Sequence, residues 1–89
     1  MAGKKKRDFK NPDRENLALG SAIRDFRKEQ QKSQEELAEE TKLDRTYISL
    51  IERGQRSPTF STICNICAGL NISLSTLMVE TEKNLTKLH

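Results

Sequence analysis

The sequence predicts an all-α domain of five helices. Apolar residues recur at spacings of three and four, which places them on one face of a helix. No stretch alternates apolar with polar residues as a half-buried strand would, and helix-capping residues separate the segments. A chain of 89 residues with 34% hydrophobic residues is sufficient for one small domain with a modest, mostly aliphatic core.

The first helix is predicted over residues 15–30. Leu19, Ile23 and Phe26 follow one another at spacings of four and three, so they lie on one face of that helix. This face is expected to point into the core.

The second helix is predicted over residues 34–42. It follows a capping box in which Ser33 is succeeded three residues later by Glu36. Leu37 and Ala38 would point inward, and the outer face of the helix is acidic.

The third helix is predicted over residues 45–53, with Asp44 as its N-cap. Gly54 would end it, because glycine adopts a positive φ at little cost. A helix of about nine residues is marginal in water, so packing against the second helix has to hold it.

The fourth and fifth helices follow a turn at Ser57 and Pro58, where the fourth is expected to begin. Its predicted inward residues are Phe60, Ile63, Ile66, Cys67 and Leu70. Asn71 would close the fourth helix and Ser73 would cap the fifth. The fifth carries Leu74, Leu77 and Met78, and its polar end is expected to fray.

Charge divides the chain into a basic end and a nearly neutral domain. Residues 1–14 contain six Lys or Arg and two Asp, a net charge of +4, whereas the rest of the chain has −1. We expect a basic arm over residues 1–14, a domain over 15–80, and a tail or helix extension over 81–89. The arm is either a solvated end or a segment that gains affinity from DNA phosphates, and composition leaves both open.

Several classes of function are disfavoured by composition. No run approaches the roughly 20 apolar residues of a membrane span, and no apolar stretch follows the basic start as in a signal peptide. We therefore expect a cytoplasmic protein with no membrane partner. The only histidine is His89 and no polar cluster offers a general base, so we expect no enzymatic activity.

Cys64 and Cys67 form a Cys-x-x-Cys spacing that could indicate zinc or redox chemistry. A structural zinc site needs four ligands, and His89 is the only other soft ligand, while a redox motif needs a βαβ setting that is absent here. We predict no metal and no other cofactor. Cys67 is expected to pack in the core, with Cys64 nearer the surface or an interface.

The third helix has two distinct faces when its residues are plotted at about 100° each. One arc is polar or cationic apart from a single leucine and contains no acidic residue: Arg45, Thr46, Ser49, Leu50 and Arg53. The opposite side carries the larger apolar and aromatic side chains: Tyr47, Ile48 and Ile51. A solvated helix commonly mixes Glu with Lys on its outer face, so this arc indicates a binding surface.

The stretch SQEELAEETKLDRTYISLIERG, residues 33–54, together with residues 55–70, resembles the helix-turn-helix domain of the Cro and phage-repressor family. Within it, LDRTYISLIERG resembles the controller proteins of restriction-modification systems. The resemblance covers about residues 17–79 and rests on residues in register: Arg27, Gln34, Leu37, Ala38, Ile48, Glu52, Gly54 and Pro58. It implies a five-helix, lambda-repressor-like DNA-binding domain.

The resemblance also implies roles for residues behind the recognition helix. Ala38 would pack where the second and third helices cross, with Ile48 beneath the third. Arg27 and Glu52 match a buried pair that braces the recognition helix. Gln34 matches a phosphate-contacting position.

The exposed face of the third helix is then the predicted reader of DNA bases. Arg45 would bind guanine O6 and N7, Thr46 and Ser49 would reach bases or phosphate, and Leu50 would contact a thymine methyl group. Further phosphate contacts are expected from three residues at or after this helix: Tyr47, Arg53 and Arg56.

Three residues depart from the family pattern. Gln31 and Lys42 stand where glycine is usual after the first and second helices, and Lys32 replaces an apolar residue that commonly packs against the second. A non-glycine residue in the left-handed region costs on the order of 1 kcal/mol. We therefore expect altered turns or tolerated strain at Gln31 and Lys42.

These observations predict a dimeric transcription regulator, either a self-regulating controller protein or a phage-type repressor. The dimer would form through Leu74, Leu77 and Met78 and bind a pseudo-palindromic operator with half-sites about 10 bp apart. The alternative is a protein-interaction module such as an antitoxin or a coactivator-like domain. The acidic face of the second helix, formed by Glu35, Glu39 and Glu40, would either contact RNA polymerase or serve solubility.

Overall fold

The computed structural model describes residues 13–87, which form five helices with no strand among them. The helices are α1 (Arg14–Glu29), α2 (Gln34–Thr41), α3 (Arg45–Glu52), α4 (Phe60–Leu70) and α5 (Leu74–Lys87). The predicted all-α class is confirmed, and each predicted boundary of α1 to α4 lies within a few residues of the observed one.

One core joins all five helices. α1 packs along α5 and across α3, while α2 packs against α3 and α4. The largest fully buried side chains come from every helix: Ile23, Leu37, Ile48, Ile51, Ile66, Leu70 and Leu77. Because α3 contacts both α1 and α2, its position depends on both of these helices.

Helix ends follow the expected capping chemistry. Ser33 Oγ accepts a hydrogen bond from the Glu36 amide at 3.0 Å, and a Glu36 carboxylate oxygen accepts one from the Ser33 amide at 2.7 Å, which completes the predicted capping box. Ser73 Oγ caps α5 by accepting from the Thr76 amide at 3.0 Å.

The helix ends that lack glycine still adopt the left-handed geometry. Gln31 has a φ of 59° and Lys42 a φ of 63°, so of the two alternatives expected there the structure shows tolerated strain. Asn71, with a φ of 55°, closes α4 as predicted. Gln31 and Asn71 sit in Schellman motifs, whose two backbone hydrogen bonds satisfy carbonyl groups left over at the helix end.

The start of α4 differs from the prediction. Thr59, not Ser57 or Pro58, is the N-cap, and its hydroxyl accepts from the Thr62 amide at 3.2 Å. Phe60 therefore becomes the first residue of the helix. It was expected in the core but is 65% exposed. Phe60 lies one turn before Ile63, and Ile63 is itself only half-buried at the edge of the core.

Residues 81–87 continue α5, and this last part of the helix is hydrogen-bonded to α1. Asn84 donates a hydrogen bond from its side chain to the carbonyl of Ala18 at 3.0 Å. Of the two forms expected for residues 81–89, a tail or a helix extension, the structure shows a helix extension over residues 81–87. Most of the expected basic arm, residues 1–12, and the last two residues, 88–89, lie outside the described residues.

Candidate nucleic-acid interface

Capping hydrogen bonds fix both ends of α3. Asp44 Oδ1 accepts a hydrogen bond from the Thr46 amide at 3.1 Å. At the other end Gly54 has a φ of 75°, its amide donates to the Ile51 carbonyl at 3.0 Å, and the Gln55 amide donates to the Leu50 carbonyl at 2.9 Å. This Schellman motif requires the left-handed conformation that glycine adopts most readily.

The two faces of α3 are separated as the sequence predicts. Ile48 and Ile51 are fully buried, and Tyr47 is half-buried against the core. The opposite face is exposed or half-exposed: Arg45, Thr46, Ser49, Leu50 and, just after the helix, Arg53. Arg56 is also exposed, in the connection to α4. Whether these side chains contact DNA bases or phosphates stays a prediction.

A buried ion pair fixes the back of α3 to α1. Arg27 Nε lies 2.7 Å from Glu52 Oε2, and Arg27 Nη2 donates to Glu52 Oε1 at 2.9 Å. The side chains are only 9% and 2% exposed. The hydrogen bond to Glu52 raises the pKa of Arg27 against the opposing effect of burial. The resemblance implied this pair, and the bidentate geometry holds α3 against both translation and rotation.

Gln34 links that buried pair to the exposed tip of α3. Its Nε2 donates to Glu52 Oε1 at 3.0 Å, and its Oε1 accepts from Arg45 Nη1 at 3.3 Å. Arg27, Glu52, Gln34 and Arg45 thus form one chain of hydrogen bonds from the core to the surface. Sequence reasoning placed Gln34 only at a phosphate and missed this link, although its position at the start of α2 beside α3 was visible.

The acidic face of α2 is not the uniform surface that the sequence suggested. Glu35 Oε2 lies 3.7 Å from Arg45 Nε, with both side chains at least half exposed. Glu40 pairs with Lys32 at 2.8 Å, and the same ammonium donates to the Gly69 carbonyl. Lys32 therefore takes the place of the apolar contact by bonding α2 to α4. Only Glu39 of the three has no ion-pair partner among residues 13–87.

A close approach of α1 to α3 depends on Gly20, which sequence reasoning did not single out. A Cβ at Gly20 would collide with the Ile51 carbonyl oxygen and come within 2.7 Å of the Glu52 carbonyl oxygen. The absence of a side chain at Gly20 therefore sets how near α3 lies to α1. Ala38, expected at the crossing of α2 and α3, is buried.

The predicted dimer surface needs one correction. Leu77 is fully buried within the single chain, so it cannot be offered to a partner; it lies on the face of α5 that packs on the core. Leu74 is half-buried against the same core, and Met78 is 37% exposed. Two apolar side chains that were not predicted for the surface are more exposed, Val79 at 53% and Phe60 at 65%.

The two cysteines occupy the predicted environments. Cys67 is buried, and burial raises the pKa of its thiol; Cys64 is exposed. Residues 13–87 contain no group of three or more His, Cys, Asp or Glu arranged to hold a metal ion. None of the helices in the described range is long and apolar enough to cross a membrane alone, and the pair that meets the test together, α4 with α5, is bent by 105°.

Comparison with known proteins agrees with this geometry. A helix-turn-helix family model matches residues 23–77. Control protein C.MunI from Mycoplasma sp. is 41% identical over 68 residues, which are 75% of this chain and 92% of that protein. The immunity repressor of Bacillus phage phi105 is 34% identical over 64 residues, which are 72% of this chain but only 44% of the repressor.

Solved structures agree as well. The restriction-modification controller protein C.Esp1396I, solved as a tetramer in complex with its natural 35 base-pair operator, superposes with a TM-score of 0.76 and 33% identity. The match covers 81% of this chain and 95% of that one. The present chain thus belongs to the helix-turn-helix family and is a transcriptional regulator of the restriction-modification controller type.

Proposed function

We propose that this chain binds a specific operator in double-stranded DNA as a homodimer and, as a controller protein, regulates its own expression. The observation that carries the proposal is the exposed face of α3, which is free of acidic residues and held from behind by the buried Arg27–Glu52 pair. A side chain that reads a base has to be placed accurately, and a rigid support beneath the helix supplies that placement. The proposed site of action is the cytoplasm.

Base reading is assigned to four residues of α3: Arg45, Thr46, Ser49 and Leu50. Arg45 is the principal one, because its guanidinium can donate two hydrogen bonds to guanine O6 and N7. In the free chain it is held by Gln34 at 3.3 Å and faces Glu35 at 3.7 Å, contacts that are long enough to exchange for a base. Leu50, half-exposed, suits a thymine methyl group.

Phosphate contacts are assigned to Gln34, Tyr47, Arg53 and Arg56. Arg53 donates a hydrogen bond from Nε to the Ser49 carbonyl at 3.3 Å, which leaves its terminal nitrogens for a phosphate. Gln34 would give up its hydrogen bond to Arg45 when it meets a phosphate, while its bond to Glu52 is kept. Such contacts orient the domain on the duplex and carry no sequence information themselves.

The dimer is proposed to form through exposed apolar side chains of α4 and α5, which would pack against the same side chains of a second copy. Phe60, Met78 and Val79 are the large hydrophobic residues exposed in residues 13–87. Leu74, half-buried against the core, is the further residue assigned to this surface. Two recognition helices related by a two-fold axis would read half-sites about 10 bp apart on a pseudo-palindromic operator.

Sedimentation equilibrium tests the dimer. Wild-type chain is expected to be dimeric at micromolar concentration, and Val79→Glu monomeric, because a carboxylate buried in the interface loses its hydration. Thr86→Glu adds the same charge at another exposed position of α5 and should stay dimeric. Wild-type protein that remains monomeric both alone and with DNA contradicts the dimer.

Activation through RNA polymerase is proposed for what remains of the acidic surface of α2. Glu39 is exposed and unpaired within the described chain, so it is the residue to test. Glu39→Gln should reduce activated transcription in a purified system and leave operator affinity unchanged. Unchanged transcription would assign Glu39 to solubility.

Selection of bound sites from random duplex DNA is the experiment that tests the proposed function as a whole. The expected outcome is one enriched motif with two-fold symmetry and half-sites spaced by about one helical turn. Enrichment of no motif, with binding at the level of random DNA, would instead favour the role of a protein-interaction module.

A further inference from the structure

The exposed surface of α1 carries two charged stripes of opposite sign. Arg24 and Lys28 lie four residues apart on one side, and Asp25 and Glu29 lie four apart on the other. None of these four side chains makes an ion pair with another residue in the range 13–87. Like charges at this spacing repel each other on a helix surface.

The cationic stripe borders a shallow hollow of about 280 Å³ beside the recognition helix. Arg24 and Lys28 form one wall, and three residues already assigned to DNA contact form the other: Gln34, Ser49 and Arg53. The buried Arg27–Glu52 pair also lines the hollow. Four cations and one carboxylate therefore surround a space that opens on the proposed DNA-binding side.

We propose that Arg24 and Lys28 bind a backbone phosphate of the operator, which seats in this hollow. The inference rests on the proposed function and extends its phosphate contacts from α2 and α3 to α1. An oxyanion suits the hollow because Arg24 and Lys28 both line it and the carboxylate of Glu52 is already neutralised by Arg27. The location beside Gln34 and Ser49 makes DNA the source of that oxyanion.

The acidic stripe supports the same orientation. Asp25 and Glu29, together with Phe26 and Glu80, line a separate hollow on another side of α1. Because carboxylates repel phosphates, that side faces away from the duplex. The position of each charge along α1 thus follows from where the DNA backbone lies.

The test compares the double variant Arg24→Gln, Lys28→Gln with a control, Lys83→Gln, Lys87→Gln, that removes the same charge from α5. Each protein is titrated against the selected operator and a random duplex over a series of NaCl concentrations. For the α1 variant, the slope of log affinity against log salt should fall in magnitude by about 0.9 per half-site, because one phosphate per half-site loses its neutralising cations. Both DNAs should weaken by similar factors, and the control should keep the wild-type slope.

A slope for the α1 variant equal to that of the control overturns the inference and leaves the proposed function standing. Failure of the wild-type protein to bind duplex DNA at any salt concentration overturns the proposed function itself. Thermal unfolding of each variant checks the fold, and the single variants Arg24→Gln and Lys28→Gln, each expected to lower the slope by less than the double variant does, provide a second measurement.

Discussion

Replacing Gly20 with alanine should destabilise the domain, although alanine is the better helix former. Gly20 lies inside α1, where alanine is favoured over glycine by about 1 kcal/mol in an unobstructed helix. Here the new Cβ meets the carbonyl groups that end α3. The oxygen of Glu52 would have to retreat by about 0.7 Å, from 2.7 to 3.4 Å, to reach ordinary contact distance.

The expected net loss of folding stability is the sum of two destabilising contributions and one stabilising contribution. Overpacking costs about 1–3 kcal/mol. Moving the end of α3 also strains the hydrogen bonds between Arg27 and Glu52, and charged hydrogen bonds contribute about 1.5–3 kcal/mol each. With partial weakening of that pair and about 1 kcal/mol regained from helix propensity, we expect a net loss of about 2 kcal/mol.

Thermal unfolding followed by far-ultraviolet circular dichroism measures this loss. For a domain of this size, 2 kcal/mol corresponds to a decrease in Tm of roughly 8–16 °C. Ser21→Ala is the matched control, because Ser21 is the next residue of α1 and is exposed; its stability should change by less than about 0.5 kcal/mol. A Gly20→Ala variant as stable as wild type would refute the close approach of α1 to α3.

Three further predictions concern the core and the thiols. Glu52→Gln should lose about 3–5 kcal/mol in denaturant unfolding, because Arg27 keeps its charge in a buried site; a loss below about 1 kcal/mol would mean that the pair is solvated. Leu77→Ala should lose about 2–5 kcal/mol at every protein concentration, whereas a loss that disappears on dilution would place Leu77 in an interface. In the native protein Cys64 should react with a thiol reagent and Cys67 should react only in denaturant; equal rates would contradict the burial of Cys67.

Local signals explain why the helices could be predicted. The capping box at Ser33, the N-cap at Asp44 and the positive φ at Gly54 each depend on residues within a few positions of one another. The faces of α3 follow from periodicity alone, and Ile48 is buried accordingly. The interpretation of α3 as a binding surface therefore needed no tertiary information.

Packing between distant residues explains what was missed. The role of Gly20 depends on how near two helices lie, and Phe60 was misplaced because the extent of the core is set by all five helices. Leu77 and Val79 are two residues apart on α5, and the choice of which one faces inward depends on how α5 docks on α1. The pairing of Glu35 with Arg45 joins α2 to α3, and side-chain orientation of that kind is not encoded in spacing.

Base reading by α3 is tested most directly by the ratio of operator affinity to random-duplex affinity for wild type and Arg45→Ala, measured at two salt concentrations. Arg45→Ala should lower operator affinity by about 1–3 kcal/mol per half-site and relax preference at one base position. Arg56→Ala should weaken both duplexes by similar factors and reduce the salt slope by about one unit, so its ratio is preserved. If Arg45→Ala also keeps the wild-type ratio, Arg45 does not read a base, and the assignment of the exposed face of α3 as the reader is contradicted.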